Sequence, residues 1–161
     1  MKVISKQRNS KMCYICGMEN EQGLKAQFYN MEDGSVMTKF FYSEHHQSFP
    51  QRVHGGLIAA MLDELAFRAA WVKNYGLLGA TMSMEIKYRK PVPYNIDIIG
   101  KGLVTKDLSK FFTSDVALYD NKNNLLANAT VKYIKLPIEK VANADFHEEM
   151  CYLIKDDVKE L

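Results

Sequence analysis

Hydrophobic and polar positions divide the chain into two strands, one long helix and about four further strands. The strands are predicted over residues 24–30, 35–43, 81–88, 96–105, 110–119 and 125–133. Residues 44–53 are polar and contain a proline, which predicts a loop. We expect the first dozen residues to be frayed and the tail from residue 142 onward to form a short amphipathic helix.

The strand predicted over 81–88 shows the clearest alternation. Its apolar face carries Met82, Met84, Ile86 and Tyr88, and its polar face carries Thr81, Ser83, Glu85 and Lys87. Antiparallel strands with a single long helix are typical of an α+β fold in which the helix lies on one face of the sheet. The sequence shows no repeat or second domain. We therefore predict one domain over 1–161, with a core at about 13–137, a flexible N-terminus and a C-terminal tail.

The long helix, predicted over about 55–73, is apolar on nearly every side. A helix on the surface of a globular protein has one apolar stripe and one polar face. This helix is therefore expected to be buried by the sheet on one side and by another surface elsewhere. Only Asp63, Glu64 and Arg68 interrupt its apolar sequence between residues 57 and 72.

The two carboxylates of this helix differ in whether a basic residue lies near enough along the helix to form an ion pair. Glu64 and Arg68 are four positions apart, in the order that favours an ion pair, so Glu64 has a structural explanation. Asp63 has no basic residue three or four positions away. A carboxylate without a cationic partner in an apolar helix indicates a reactive group, although hydrogen bonds to backbone or to another subunit would also explain it.

The helix is preceded by His54-Gly55-Gly56. Glycines allow the backbone to approach a ligand closely, and the first turn of a helix offers free N–H groups at the positive end of its dipole. This arrangement suits an oxyanion on a carbonyl under attack, although a tight entry turn and a capping histidine are equally consistent with it. His54 and Asp63 lie nine positions apart, about 13 Å along one helix. If both serve one site, that site is shared between the helices of a symmetric dimer.

Composition narrows the class of protein. Of the 161 residues 47% are hydrophobic and 25% are charged, and the formal net charge is +2. The basic residues are dispersed, which argues against a nucleic-acid partner, and no apolar run is long enough to span a membrane. The basic start has no apolar stretch behind it and is therefore not predicted to be a signal peptide. Three cysteines without the density of a disulfide scaffold make a reducing cytoplasm the expected location.

The three cysteines, Cys13, Cys16 and Cys151, do not form a disulfide framework. The pair Cys13 and Cys16 has metal-ligand spacing, but the chain contains no second cysteine pair to complete a structural zinc site. Two subunits could share a metal site between them, but the prediction from the sequence is no metal. No cofactor is predicted either.

Several motifs together resemble the hotdog-fold thioesterases of the phenylacetate-degradation (PaaI-like) family. They are the stretch from His46 to Gly56, the pair Asp63-Glu64, Thr81, and the stretch Tyr88-Arg89-Lys90-Pro91-Val92-Pro93. The leader Cys13-Tyr14-Ile15-Cys16-Gly17, with Gly23-Leu24, is similar to that of a bacterial branch of the family. The resemblance covers about 13–137.

The resemblance implies a long helix wrapped by an antiparallel sheet, assembly into dimers and often tetramers, and hydrolysis of acyl-CoA thioesters. It implies these residue roles: Asp63 as nucleophile or general base, Gly56 N–H on the thioester carbonyl, His54 orienting the site, Thr81 placing the water, Gln47 assisting, and Arg89 and Lys90 meeting CoA phosphates. Gly55 would let the substrate approach the backbone.

Two alternatives remain open from the sequence. A hotdog dehydratase or hydratase would act on the same class of thioester, with a histidine and a carboxylate beside the Cα–H bond. A non-catalytic acyl-CoA-binding module would not need Asp63 at all.

Overall fold

A computed structural model describes residues 1–143 and 145–161. The strands are β1 (Val3–Lys6), β2 (Gln27–Met31), β3 (Val36–Phe40), β4 (Gln47–Phe49), β5 (Arg52–Val53), β6 (Gly79–Tyr88), β7 (Ile98–Asp107), β8 (Phe111–Asp120) and β9 (Leu125–Lys135). The helices are α1 (Gly55–Trp71), α2 (Ile138–Val141) and α3 (Phe146–Glu149). The two predicted early strands, the long helix and the four later strands are confirmed.

Seven strands form one antiparallel sheet in the order β1-β2-β3-β7-β8-β9-β6, and β4 and β5 form a separate hairpin. Helix α1 packs on β7, β8 and β9, so the predicted α+β arrangement of a helix against a wrapped sheet is confirmed. Gly100 and Gly102 of β7 permit this contact. A Cβ atom at Gly100 would lie 2.9 Å from Leu65 Cδ2, and one at Gly102 would lie 3.1 Å from the Leu65 carbonyl.

The prediction of a frayed start is wrong. Residues Val3–Lys6 extend the sheet as β1, and Gln7, Asn9 and Ser10 are buried although they are polar. Burial of these side chains is supported by hydrogen bonds: the Asn9 amide donates to the carbonyls of Cys16 at 2.7 Å and Ala26 at 2.9 Å. The polar sequence of this segment predicted exposure, but its polar side chains are buried because they form hydrogen bonds with buried carbonyl groups.

Two other segments differ from the predictions. The stretch predicted as a loop contains a 3₁₀ turn (Glu44–His46) and the β4–β5 hairpin. In the tail from residue 142 onward, the described residues form one helical turn, α3, whereas α2 precedes the tail. The last residues return to the start of the chain through bridges of Lys2 to Glu160 and Asn9 to Tyr152. Among the described residues, no helix has both the length and the apolar character that crossing a bilayer would require.

Candidate active site

The first turn of α1 is capped by His54. Its ring Nδ1 accepts a hydrogen bond from the Gly56 N–H at 2.9 Å, and its carbonyl accepts from Leu57 at 3.0 Å. The Gly55 N–H donates to no other group within residues 1–143 and 145–161. The structure thus places His54, Gly55 and Gly56 together, but the N–H group of Gly56 already has a partner. A ligand at that N–H group has to displace the imidazole, which is on an exposed residue.

Asp63 lies two turns further along α1 and is half-buried. Its Oδ1 accepts hydrogen bonds from Thr81 Oγ1 at 2.9 Å and from the Tyr133 hydroxyl at 3.0 Å. No salt bridge among the described residues includes Asp63. The carboxylate is therefore fixed by neutral donors on β6 and β9, and its negative charge is not cancelled by an ion pair.

A β-bulge brings Thr81 to Asp63. Thr81 pairs with Tyr133 and Ser83 pairs with Lys132, so Met82 is an extra residue between two consecutive pairs. The strict alternation expected for β6 is therefore wrong at its start: Thr81 shares the helix-facing side with Met84 and Ile86. The bulge turns the hydroxyl toward the carboxylate, which a regular strand of this sequence would not do.

Tyr133 is a site residue that the sequence did not indicate. The alternating pattern of β9 predicts Tyr133 as one of several apolar core residues, and in the structure the residue is 1% exposed. Its hydroxyl reaches both the Asp63 carbonyl, at 2.7 Å, and the carboxylate. Burial, with the nearby Asp63 charge, raises the pKa of Tyr133 above that of an ordinary tyrosine, so the phenol stays protonated as a donor.

Glu64 points elsewhere. Its Oε1 accepts from Arg68 Nε at 2.8 Å, which confirms the predicted ion pair. The Arg68 guanidinium is buried, donates to the Arg8 carbonyl at 2.7 Å and lies 4.5 Å from the Trp71 ring centroid. Glu64 therefore neutralises a buried cation that holds the start of the chain against α1.

A groove of about 430 Å³ opens beside the start of α1. Its lining residues are Arg52, Val53, Gly55, Ile58, Tyr88, Arg89, Lys90, Pro91 and Val92. Three of them are cationic, and two of those, Arg89 and Lys90, are held by hydrogen bonds of 2.9 Å to Asn128 and Asn124. Arg52 and Tyr88 were not among the predicted site residues. Gln47, which was, lies on the exposed β4 outside this lining.

One chain thus carries two separate parts of a site. The helix start offers N–H groups and the basic groove, whereas the middle of α1 offers the Asp63 carboxylate with Thr81 and Tyr133. Asp63 lies seven positions beyond Gly56, about 10 Å along the helix axis. Together the parts hold a carboxylate base or nucleophile, donors for a developing oxyanion and cations for a polyanion.

The side of α1 that joins the two parts is incompletely covered. Gly56 is exposed, and Ala60 and Asp63 are half-buried, although the sheet buries Leu62 and Leu65 completely. Small residues on this side leave the helix backbone open to close approach by another surface.

Comparison with known proteins gives concordant results. Residues 51–127 match the sequence profile of the thioesterase superfamily. The chain is 30% identical to the acyl-coenzyme A thioesterase THEM4 of Rattus norvegicus over 124 residues, which are 74% of this chain and 53% of that protein. The chain therefore spans about half the length of this relative.

Solved structures share the fold. The PaaI protein of the E. coli phenylacetic acid degradation operon superposes with a TM-score of 0.64 at 15% identity, covering 71% of this chain and 81% of the other. A hypothetical thioesterase from Streptococcus pneumoniae, solved with coenzyme A, gives 0.63 at 19% identity, covering 69% and 85%. Residues 51–127 thus match the thioesterase superfamily, and the chain shares the hotdog fold of these solved structures.

Proposed function

We propose that this protein is an acyl-CoA thioesterase that hydrolyses an acyl-CoA to a free acid and CoA, with Asp63 as nucleophile or general base. The observation that carries the proposal is the Asp63 carboxylate. It is oriented by two neutral hydroxyl donors and lies on an incompletely covered side of α1, and it forms no ion pair with any residue that the structure describes. The rat relative, at 30% identity, is named an acyl-coenzyme A thioesterase, which supports this substrate class.

The reaction needs an attack on the thioester carbonyl carbon and departure of the CoA thiolate. Either the Asp63 carboxylate attacks directly, giving an anhydride that water hydrolyses, or it removes a proton from a water molecule that attacks. Thr81 and Tyr133 fix the carboxylate for both routes. Thr81 Oγ1, on an exposed residue, would also help to place the water.

The negative charge that develops on the carbonyl oxygen would be stabilised by the Gly56 N–H group. In the structure this group donates a hydrogen bond to His54 Nδ1. We propose that the substrate carbonyl replaces the imidazole as acceptor, and that His54 then orients the bound thioester. Gly55 lies one residue away. Because it has no side chain, it would let the acyl group approach the backbone.

The basic groove beside the helix start suits the phosphates of CoA. Arg52, Arg89 and Lys90 line it, and two of these cations are already held by asparagine side chains. A fixed cation loses less conformational entropy when it binds a phosphate. The related streptococcal protein was solved with coenzyme A, which agrees with a CoA site in this fold. Gln47, on the neighbouring hairpin, is proposed to assist only at the margin of the groove.

The dehydratase alternative is less well supported. That chemistry pairs a histidine with a carboxylate beside the substrate Cα–H bond. Within one chain the two groups have other partners, and they do not contact each other. The His54 imidazole accepts a hydrogen bond from the Gly56 N–H group, and the Asp63 carboxylate accepts hydrogen bonds from Thr81 and Tyr133.

The proposed reaction is tested by incubating the purified chain with short, medium, long and aromatic acyl-CoAs without added metal or cofactor. Release of free CoA thiol is followed with a thiol reagent. Hydrolysis of at least one acyl class is expected. If every acyl-CoA binds and none is hydrolysed, the protein is a binding module.

We further propose a homodimer, or a tetramer of such dimers, in which Asp63 of one subunit faces the Gly56 N–H of the other. The separation of the two groups along α1 and the exposed side of the helix support this arrangement. Close packing of two copies through Gly56 and Ala60 would bury that side and bring the separated parts together.

Two inactive variants should complement each other if the site is shared. Asp63→Asn removes the carboxylate, and Gly56→Leu blocks the N–H group. In a mixed dimer one site collects both defects and the other collects none. Co-refolding of equal amounts makes half of the dimers mixed, so activity should recover to roughly a quarter of that of the unaltered protein. Mixed dimers that form and remain inactive would place the whole site within one chain.

A further inference from the structure

Two cysteines and a carboxylate that play no part in the proposed reaction converge behind α1. The ligand atoms of Cys13, Cys16 and Glu64 all lie within 4.8 Å of one another. Cys13 Sγ is 3.8 Å from Glu64 Oε2, although the two residues are 51 positions apart in the sequence. The metal-ligand spacing of the cysteine pair is visible in the sequence, but the approach of this third donor is visible only in the fold.

The chain between the two cysteines is built to support sulfur ligands. The backbone N–H of Ile15 points at Cys13 Sγ at 3.4 Å, and Gly17 N–H closes the turn onto the Cys13 carbonyl at 2.7 Å. A Cβ atom at Gly17 would lie 2.4 Å from that carbonyl oxygen, so the turn requires glycine. An N–H group directed at sulfur, as that of Ile15 is, stabilises a thiolate, which is the form that binds metals.

Glu64 completes the donor set. Its Oε1 is bonded to Arg68, and this leaves Oε2 turned toward Cys13. A carboxylate ligand with its second oxygen held by a neighbouring donor is the usual arrangement around a protein-bound metal. Ser10 Oγ adds a further outer contact, 3.4 Å from Cys16 Sγ.

The charges also balance for a divalent ion. Two thiolates and the Glu64 carboxylate carry three negative charges, and the buried Arg68 guanidinium offsets one of them. The remaining two negative charges equal the charge of one divalent cation. Without the cation, the same cluster is neutral only when both thiols keep their protons.

We propose that Cys13, Cys16 and Glu64 bind one zinc ion, which ties the leader containing residues 10–17 to the middle of α1. Two sulfur donors and one carboxylate oxygen suit zinc, whereas magnesium and calcium take oxygen ligands only. Cys16 is buried, but Cys13 and Glu64 are half-buried, so water completes the tetrahedral coordination from the open side. Glu64 and Asp63 face about 100° apart on the helix, and the ion takes no part in hydrolysis.

The test uses the full chain without a histidine tag, reduced and stripped of metal, and then titrated with zinc in a calorimeter. We expect one ion per chain. Because both thiols must lose their protons, about two protons should be released per zinc, measured from the dependence of the heat on the buffer. Titration with cobalt should give sulfur-to-metal charge-transfer bands and the visible spectrum of a tetrahedral ion.

Matched cysteine variants localise the site. Cys13→Ser and Cys16→Ser should each lose the charge-transfer bands and weaken zinc binding at least tenfold. Cys151→Ser, which alters the exposed cysteine outside the cluster, should bind like the unaltered chain. Zinc should raise the Tm of the unaltered chain and of Cys151→Ser but not that of Cys13→Ser.

Absence of zinc binding by the folded, reduced chain would overturn the proposal, as would binding that survives in both cluster variants. Far-ultraviolet circular dichroism establishes that each variant is folded. A chain that binds no zinc but forms a Cys13–Cys16 disulfide on mild oxidation would assign the pair to thiol chemistry instead. These outcomes are independent of thioesterase activity, which is not used as a readout.

Discussion

Asp63 and Glu64 are consecutive residues of one helix with opposite surroundings. Glu64 forms a 2.8 Å ion pair with buried Arg68, and thus its charge is cancelled where it lies. Within residues 1–143 and 145–161, the Asp63 carboxylate accepts hydrogen bonds only from hydroxyl groups, and its charge is not cancelled on a partly open side of α1. A carboxylate on this helix therefore has a structural or a chemical role according to the partner that it contacts, and not according to its position in the helix.

The largest expected effect comes from Asp63→Asn. This change keeps the shape and the hydrogen-bond acceptor for Thr81 but removes the base or nucleophile. We expect kcat to fall by about 10²-fold or more, with Tm nearly unchanged. Steady-state kinetics with the best acyl-CoA substrate and a thermal melt measure both quantities.

Glu64→Gln should show the reverse pattern. It leaves the Arg68 guanidinium buried without its ion partner, and we expect the free energy of unfolding to fall by about 3 kcal/mol. Activity of the folded variant should stay within a few-fold of the original. Urea denaturation measures the loss. Glu85→Gln, which breaks the exposed Glu85–Lys87 pair at 3.4 Å, is the control and should change stability by less than about 1 kcal/mol.

An inactive but folded Glu64→Gln variant, beside an active Asp63→Asn variant, would reverse the roles of the two carboxylates. Equal losses of stability in both variants would contradict the assignment of a structural role to Glu64 and a chemical role to Asp63.

The smallest effect is expected at Tyr133, which positions Asp63. Tyr133→Phe removes one hydrogen bond to a charged group, worth about 1.5–3 kcal/mol, and kcat should fall roughly tenfold with little change in KM. Tyr42→Phe is the control, because that buried hydroxyl donates to the Leu57 carbonyl at 3.4 Å, away from the carboxylate. An equal loss of kcat in both variants would indicate a general packing defect.

The raised pKa of Tyr133 gives this variant a second signature. Above the ordinary tyrosine pKa of about 10, the unfolded chain loses the phenol proton while the folded chain keeps it, so stability falls as pH rises until the folded pKa is reached. Tyr133→Phe should reduce the steepness of this alkaline loss by about 1.4 kcal/mol per pH unit. Urea denaturation at several pH values above 10 measures it.

Pattern alone was sufficient for most of the fold and for part of the candidate site. The apolar helix, the alternating strands and the Glu64–Arg68 spacing are local features, so the sequence displays them directly. The role of Tyr133 could not be predicted, because the sequence pattern of a tyrosine in an apolar stripe does not depend on whether its hydroxyl group has a hydrogen-bond partner. The strand at Val3–Lys6 escaped because its stability depends on contacts with distant segments.

The family resemblance implies the roles of six further residues: His54, Gly55, Gly56, Gln47, Arg89 and Lys90. The structure brings Gly55, Arg89 and Lys90 to the groove at the helix start, where His54 caps Gly56. The proposed dimer is supported by the partly uncovered side of α1 at Gly56, Ala60 and Asp63.

The bulge at Met82 has a consequence for the evolution of the strand. Because Thr81 and Ser83 oppose consecutive residues of β9, a chain lacking residue 82 would keep each of these pairs and keep Thr81 turned toward Asp63. The strand therefore tolerates a change of length at this point without reversing its faces. An alignment of this chain with relatives should permit a one-residue gap here, because a forced match would set Thr81 against a residue of the opposite face.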